Sequence, residues 1–156
     1  MNFHEDSIKL ASALNAHQIQ WAYGGSSLLY YLGIPLTPRD LDVVIAKKDI
    51  EKACGVLQQL GAVIKEEKLS DDEFLTEKFY TLLWGDIEID LMAMPGIRRD
   101  GKTYIMNFDM KGPWKWIDDG SVRIPLSDPE DWLIYYGLMR NRELRVNQLK
   151  SYLIEK

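Results

Sequence analysis

The chain has 156 residues, 46% of them apolar and 28% charged, ordinary proportions that argue against disorder and against a fibrous protein. Its 24 acidic and 19 basic side chains leave a net charge of -5, so there is no overall positive field to hold a nucleic-acid backbone, which argues against duplex DNA as a partner. Cys54 is the single cysteine, which excludes an internal disulfide, and no stretch approaches the ~18 apolar residues of a membrane span.

At this length folding buries roughly two-thirds of the unfolded chain's surface, enough for one core without a metal or disulfide staple. The expectation is a single domain over residues 1–156, without signal peptide, in the cytoplasm. Cys54 is in helical phase with Ile50, Leu57 and Gly61 and reads as a packed core thiol rather than a nucleophile. His4 and His17 read as surface or helix-end residues.

Along the chain, Asp6 and Ser7 can cap a first helix carrying Ile8, Ala11 and Leu14 inward. A short strand follows from about Ile19 to Tyr23 and stops at Gly24 and Gly25. From Ser26 a second helix puts Leu28, Leu29 and Leu32 on one face, and Gly33 with Pro35 stops it. Asp40 to Ile45 alternates and then runs apolar as a strand inside a sheet, Lys48 to Leu60 has helical periodicity, and Ala62 to Glu67 reads as another strand.

After the polar loop Glu66 to Glu73, Phe79 to Trp84 and Ile87 to Met92 predict a hairpin joined at Gly85-Asp86. Pro95 to Gly120 offers only one candidate strand, Thr103 to Asn107. Val122 to Pro125 predicts a strand, and Ser127-Asp128-Pro129-Glu130-Asp131 is a helix start with caps, proline in the first turn and acids at the positive end. A last helix carries Val146, Leu149 and Leu153. The order gives an α/β (α+β) chain: a mixed sheet flanked by helices, with helices at the C-terminus.

Two short segments carry the chemistry. In Tyr23-Gly24-Gly25-Ser26-Ser27 a glycine turn opens a helix, where outward backbone N–H groups suit a phosphate and a larger side chain would hold the anion away. The same residues also suit a plain strand-to-helix turn with a serine cap. In Arg39-Asp40-Leu41-Asp42-Val43-Val44, Asp40 and Asp42 leave one strand face about 6.6 Å apart along it, so one cation can sit between them. Two like charges on a central strand are costly without a counter-ion, and Arg39 answers only part of that.

Ile87-Glu88-Ile89-Asp90-Leu91-Met92 repeats the pattern, and either Glu88 or Asp90 can supply a third carboxylate. Asp90, followed by apolar residues, is the preferred one. Hard oxygen ligands without nearby histidine or cysteine favour magnesium over zinc, and two such ions can orient an attacking hydroxyl and neutralise a leaving pyrophosphate.

Together these segments, over roughly Trp21 to Arg145, resemble the nucleotidyltransferase superfamily of DNA polymerase beta. Within it they resemble most the small bacterial forms, the aminoglycoside and lincosamide nucleotidyltransferase-like group and the abortive-infection toxin-like group. The resemblance implies the polymerase beta-like nucleotidyltransferase fold, with Gly24, Gly25 and Ser26 at the triphosphate and Arg39 counted with them. It implies Asp40 and Asp42 on two Mg2+ ions, with Asp90 on the catalytic metal or the acceptor hydroxyl.

Val122 to Asp131 resembles the group's strand, proline and Pro-Glu-Asp helix. Arg140-Asn141-Arg142-Glu143 approximates a pattern that follows that helix in the toxin-like proteins. The implied activity is Mg2+-dependent transfer of a nucleoside monophosphate from an NTP to a hydroxyl of a small molecule, RNA or protein. The alternative is a non-catalytic module, such as part of a toxin-antitoxin pair with a helical protein partner. Arg39, Lys111, Lys115 and Arg140 are the basic candidates for the triphosphate, and Trp114, Trp116 and Tyr104 for a platform under a base or sugar.

Overall fold

The computed structural model describes residues 2–155. Helix α1 (Phe3–Ala16) begins earlier than Asp6 and Ser7 suggested: the Asn2 side chain accepts from the Glu5 N–H as its cap, while Ser7 is buried and bonds to Tyr31 and the His4 carbonyl. Strand β1 (Trp21–Tyr23), helix α2 (Gly25–Tyr31) and strand β2 (Asp40–Ile45) follow, then a 3-10 turn (Lys47–Asp49) leading into α3 (Ile50–Gln59). Next come β3 (Val63–Glu67), β4 (Lys78–Trp84) and β5 (Ile87–Ala93), where the hairpin joined at Gly85-Asp86 forms as its turn residues dictate.

The stretch from Pro95 to Gly120 holds more than the single strand its sequence suggested. It contains a small hairpin, β6 (Gly96–Arg99) and β7 (Lys102–Ile105), a one-turn helix α4 (Phe108–Lys111) and strand β8 (Lys115–Asp119). Strand β9 (Val122–Leu126) and helices α5 (Pro129–Leu138) and α6 (Glu143–Glu155) complete the order. Asp128 caps α5 by accepting from the Glu130 N–H, and Pro129 sits in its first turn.

Seven strands form one mixed sheet in the order β3-β4-β5-β2-β1-β9-β8. The expected mixed α/β architecture is what the chain adopts. Strand β2 lies at the centre, antiparallel to β1 and parallel to β5. Because side chains alternate along a strand, Leu41, Val43, Ile89 and Leu91 share one face of this pair, and all four are fully buried. Each such aliphatic side chain contributes about 1.5–3 kcal/mol on burial, which offsets what the opposite face costs. Among the described residues no helix is long and apolar enough to cross a membrane.

Candidate active site

The β2–β5 register builds the site. Asp40 pairs with Glu88 and Asp42 with Asp90, so four carboxylates project from one face as a two-by-two array at the centre of the sheet. Oxygens of Asp40, Glu88 and Asp90 lie within 4.8 Å of one another. Glu88 therefore stands beside Asp90 rather than in place of it, and Lys65 meets it at 3.3 Å. Thr81, directly across the hairpin, donates from its Oγ1 to Asp90 at 3.1 Å.

This arrangement has an electrostatic cost. Burial, then the neighbouring Asp40 charge, raises the Asp42 carboxyl above its ordinary range; the Asp90 carboxyl beside it is raised by burial and by Asp42 and Glu88. Asp40 is raised as well, by burial and by Glu88, while Lys68, Arg39 and Lys65 pull it down. A cluster of hard oxygen donors that holds protons above their usual range is deficient in positive charge, and the residues present fit a divalent cation with oxygen preference.

The glycine turn sits against this array. The Gly24 N–H donates to the Asp42 carbonyl at 2.9 Å, and the Ser27 hydroxyl donates to the Asp40 carbonyl and accepts from the Asp42 N–H. These bonds clamp the start of α2 onto β2. The Ser26 N–H and hydroxyl both reach Asp42 Oδ2 at 3.2 Å. The two glycines are required for packing reasons: a Cβ on Gly24 would lie 2.3 Å from the Trp132 ring, and one on Gly25, whose φ is +51°, would lie 2.5 Å from Asp42 Oδ2. Trp132 is held there by its indole N–H donating to Ser127, whose own hydroxyl donates to the Tyr23 carbonyl.

A cleft of about 990 Å³ opens over the array. Gly25, Ser26, Arg39, Asp40, Asp42 and Asp90 line it, with Trp132 and Tyr136 from α5. Its basic residues are Arg39, Lys68, Arg142 and Arg145. Three of the four triphosphate candidates named from sequence lie elsewhere. Lys111 is bound to Asp128 and Asp131, Arg140 pairs with Glu73, and Lys115 lies over the Trp114 ring.

Residues 95–120, which include the platform candidates Tyr104, Trp114 and Trp116, do not line the cleft. Trp116 is on β8 at the sheet's far edge, Trp114 immediately precedes that strand, and the Tyr104 hydroxyl donates to Asp131. The cleft walls come instead from the loops before β2 and after β3 and from the α5–α6 connection. In the sequence Lys68 is one member of a polar loop, and Arg142 and Arg145 belong to a cluster of basic residues with Arg140; such runs carry no direction. Thr81 was readable: a two-residue turn at Gly85-Asp86 sets the hairpin register and with it the partner of Asp90.

The fold is that of nucleotidyltransferases. No protein-family profile matches the chain, and no curated protein matches it in sequence. Among solved structures it is similar to a Thermotoga maritima protein whose assignment as a nucleotidyltransferase is itself provisional, with a TM-score of 0.72 at 16% identity over 99% of this chain and 94% of that one. It is similar also to the lincosamide antibiotic adenylyltransferase LnuA in its lincomycin-bound form, with a TM-score of 0.64 at 15% identity over 95% of this chain and 97% of that one. For ANT(2'')-Ia in complex with adenylyl-2''-tobramycin the TM-score is 0.63 at 12% identity, over 93% of this chain and 86% of that one.

Proposed function

We propose that this protein is a magnesium-dependent nucleotidyltransferase of one catalytic domain, moving a nucleoside monophosphate from an NTP to an acceptor hydroxyl. The observation that carries the reading is the trio of Asp40, Asp42 and Asp90 in a cleft also lined by Arg39, Lys68, Arg142 and Arg145, with Glu88 beside Asp40 and Asp90. The fold shared with LnuA and ANT(2'')-Ia supports it. We place the protein in the cytoplasm, where NTPs are available and a lone thiol such as Cys54 stays reduced.

In the reaction the acceptor oxygen forms a bond to the α-phosphorus as the bond to the pyrophosphate oxygen breaks, and the hydroxyl proton is taken up by a carboxylate. Asp40, Asp42 and Asp90, with Glu88 alongside, would hold Mg2+, which when bound supplies charge neutralisation on the phosphates and lowers the pKa of the acceptor hydroxyl. Asp90, kept in place by Thr81, is the carboxylate assigned to the hydroxyl. Ser26 and Arg39 bind the triphosphate, and Lys68 offsets the negative charge of Asp40 and Asp90.

The cleft is at the upper end of the ~300–1,000 Å³ range of small-molecule sites, room for an NTP and a compact acceptor together. With lincomycin and an adenylylated aminoglycoside bound in the structures of similar fold, a small hydroxyl compound is the first acceptor class to try, before RNA or protein.

The test is calorimetric titration of ATP, GTP, CTP and UTP with and without Mg2+, on the wild type and on the Asp40→Asn, Asp42→Asn double variant, followed by an acceptor screen with the NTP that binds. Magnesium-dependent binding and transfer, both lost in a double variant that still folds, is the expected result. Transfer that survives in the double variant would overturn the assignment.

A further inference from the structure

Four carboxylates share the site, yet they do not form one set. Oxygens of Asp40, Glu88 and Asp90 all lie within 4.8 Å of one another, and Asp42, though the register neighbour of Asp90, is not a member of that mutually convergent set. Its Oδ2 is turned toward α2, where two donors, the Ser26 N–H and the Ser26 hydroxyl, meet it at 3.2 Å each. The space for this contact exists because Gly25 has no Cβ: the atom would lie 2.5 Å from the same oxygen.

Two converging donors on one anionic oxygen is the way a phosphate oxygen is held, and each donor can serve one acceptor well at a time. Ser26 is also the residue assigned above to the triphosphate. The Ser27 hydroxyl ties Asp40 and Asp42 backbone atoms to the start of α2, so Asp42 can exchange partners by rotating its side chain without moving the strand.

We infer that Asp42 is an internal stand-in for a phosphate oxygen of the nucleotide. Without nucleotide it is latched to Ser26 and the cation site is a three-carboxylate site of Asp40, Glu88 and Asp90. When a phosphate oxygen takes the Ser26 donors, Asp42 is released and turns to complete the metal set. This rests on the nucleotidyltransferase reading and adds an order to it: nucleotide binding precedes assembly of the full metal site.

The test uses Mn2+ alone as the probe, in the absence of nucleotide, with free Mn2+ followed by electron paramagnetic resonance. Asp90→Asn weakens Mn2+ binding at least about tenfold, the equivalent of ~1.4 kcal/mol, because it removes a member of the converging three. Asp42→Asn leaves Mn2+ binding within about twofold of wild type, since the latched carboxylate contributes little. Ser26→Ala loosens the latch and tightens Mn2+ binding by about fivefold, what one hydrogen bond of ~1 kcal/mol represents. Adding Asp42→Asn to Ser26→Ala removes that gain.

Thermal unfolding checks that each variant is folded, and Ser26→Gly, which removes the same hydroxyl, repeats the key comparison. The inference is overturned if Asp42→Asn weakens Mn2+ binding as Asp90→Asn does, if neither Ser26 variant tightens it, or if the gain persists in the double variant. Absence of measurable Mn2+ binding to every variant also overturns it. Because no nucleotide is present, these outcomes are independent of whether the wild type transfers an NMP group, which is assayed separately.

Discussion

Asp42 and Asp90 are register partners on adjacent parallel strands, so their side chains leave the same face of the sheet side by side at the floor of the cleft. Like charges crowded together out of water cannot all ionise easily: burial and Asp40 raise Asp42 above the ordinary carboxylate range, and burial, Asp42 and Glu88 raise Asp90. The folded protein thus keeps a proton that the unfolded chain, with carboxylates near pKa 3.9, has already released.

The sign of the pH dependence follows. Above about pH 4 the native state binds more protons than the unfolded state, so stability falls as pH rises and goes on falling until the pair has lost its proton. Without metal ions, thermal unfolding should show a lower Tm at about pH 8 than at about pH 5. Asp90→Asn keeps the shape and removes the charge, so at pH 8 it should stabilise the protein by about 1–3 kcal/mol, roughly 3–10 °C in Tm, while eliminating transfer. A variant that is destabilised at pH 8 would mean that Asp90 is a structural carboxylate with a compensating partner.

Much of this arrangement was readable from residue order because it depends on short-range geometry. Alternation over Asp40 to Ile45 puts two acids on one face whatever the strand pairs with, and β2 has those bounds. The same holds for Glu88 and Asp90 on β5. What local pattern could not supply is the parallel register of β2 on β5, which depends on a crossover of some forty residues and turns two separate pairs into one array.

The β6–β7 hairpin is faint in the sequence for a different reason. Of its eight strand residues only Gly96 and Ile97 are buried, so it carries almost no hydrophobic signal. Its Asp100-Gly101 turn, with both φ angles positive, is nonetheless a hairpin signature that the sequence displays. The start of the first helix is ambiguous in the sequence because Asn2, a good cap, precedes an acidic first turn that resembles a cap itself.

The glycine turn yields a prediction that separates packing from ligand binding. Gly24→Ala forces a Cβ into the Trp132 ring, which its bond to Ser127 keeps from withdrawing, and should cost about 1–3 kcal/mol in chemical denaturation. Adding Trp132→Leu should return part of that loss, a coupling of at least about 0.5 kcal/mol in a double-mutant cycle. Equal and additive effects would show that the two residues do not constrain each other. Gly25→Ala has no such rescue, because its φ of +51° is itself unfavourable for alanine.

Thr81 gives a kinetic prediction. Its hydroxyl stabilises the ionised form of Asp90, so Thr81→Val, close in shape, raises the Asp90 pKa further. If the reactive form needs Asp90 as a carboxylate, the acid limb of kcat/KM should move to higher pH, by about half a unit or more for a bond of ~1 kcal/mol. Thr81→Ser should restore it. A uniform fall in rate at all pH values would assign Thr81 to packing alone.

The candidate cations for the triphosphate, inside the cleft and outside it, can be ranked by what already binds them. Lys111 and Arg140 are engaged with Asp128, Asp131 and Glu73, so using either for a triphosphate would break ion pairs already made. Arg142 and Arg145, lining the cleft, form no ion pair among the described residues, and their side-chain bonds go to the Asn141 carbonyl and to Gln148. A guanidinium without a carboxylate partner is available for a phosphate, and loss of a charge-assisted bond is worth about 1.5–3 kcal/mol. Arg142→Ala and Arg145→Ala should therefore each raise KM for the NTP about tenfold or more and weaken its salt dependence, with a smaller effect on kcat. Arg140→Ala should leave KM within about twofold, since an exposed pair such as Arg140–Glu73 contributes little even to stability. Steady-state kinetics at two ionic strengths decides the matter: if Arg140→Ala raises KM and the other two do not, the triphosphate lies toward Glu73, and the orientation of substrate in the cleft must be reversed.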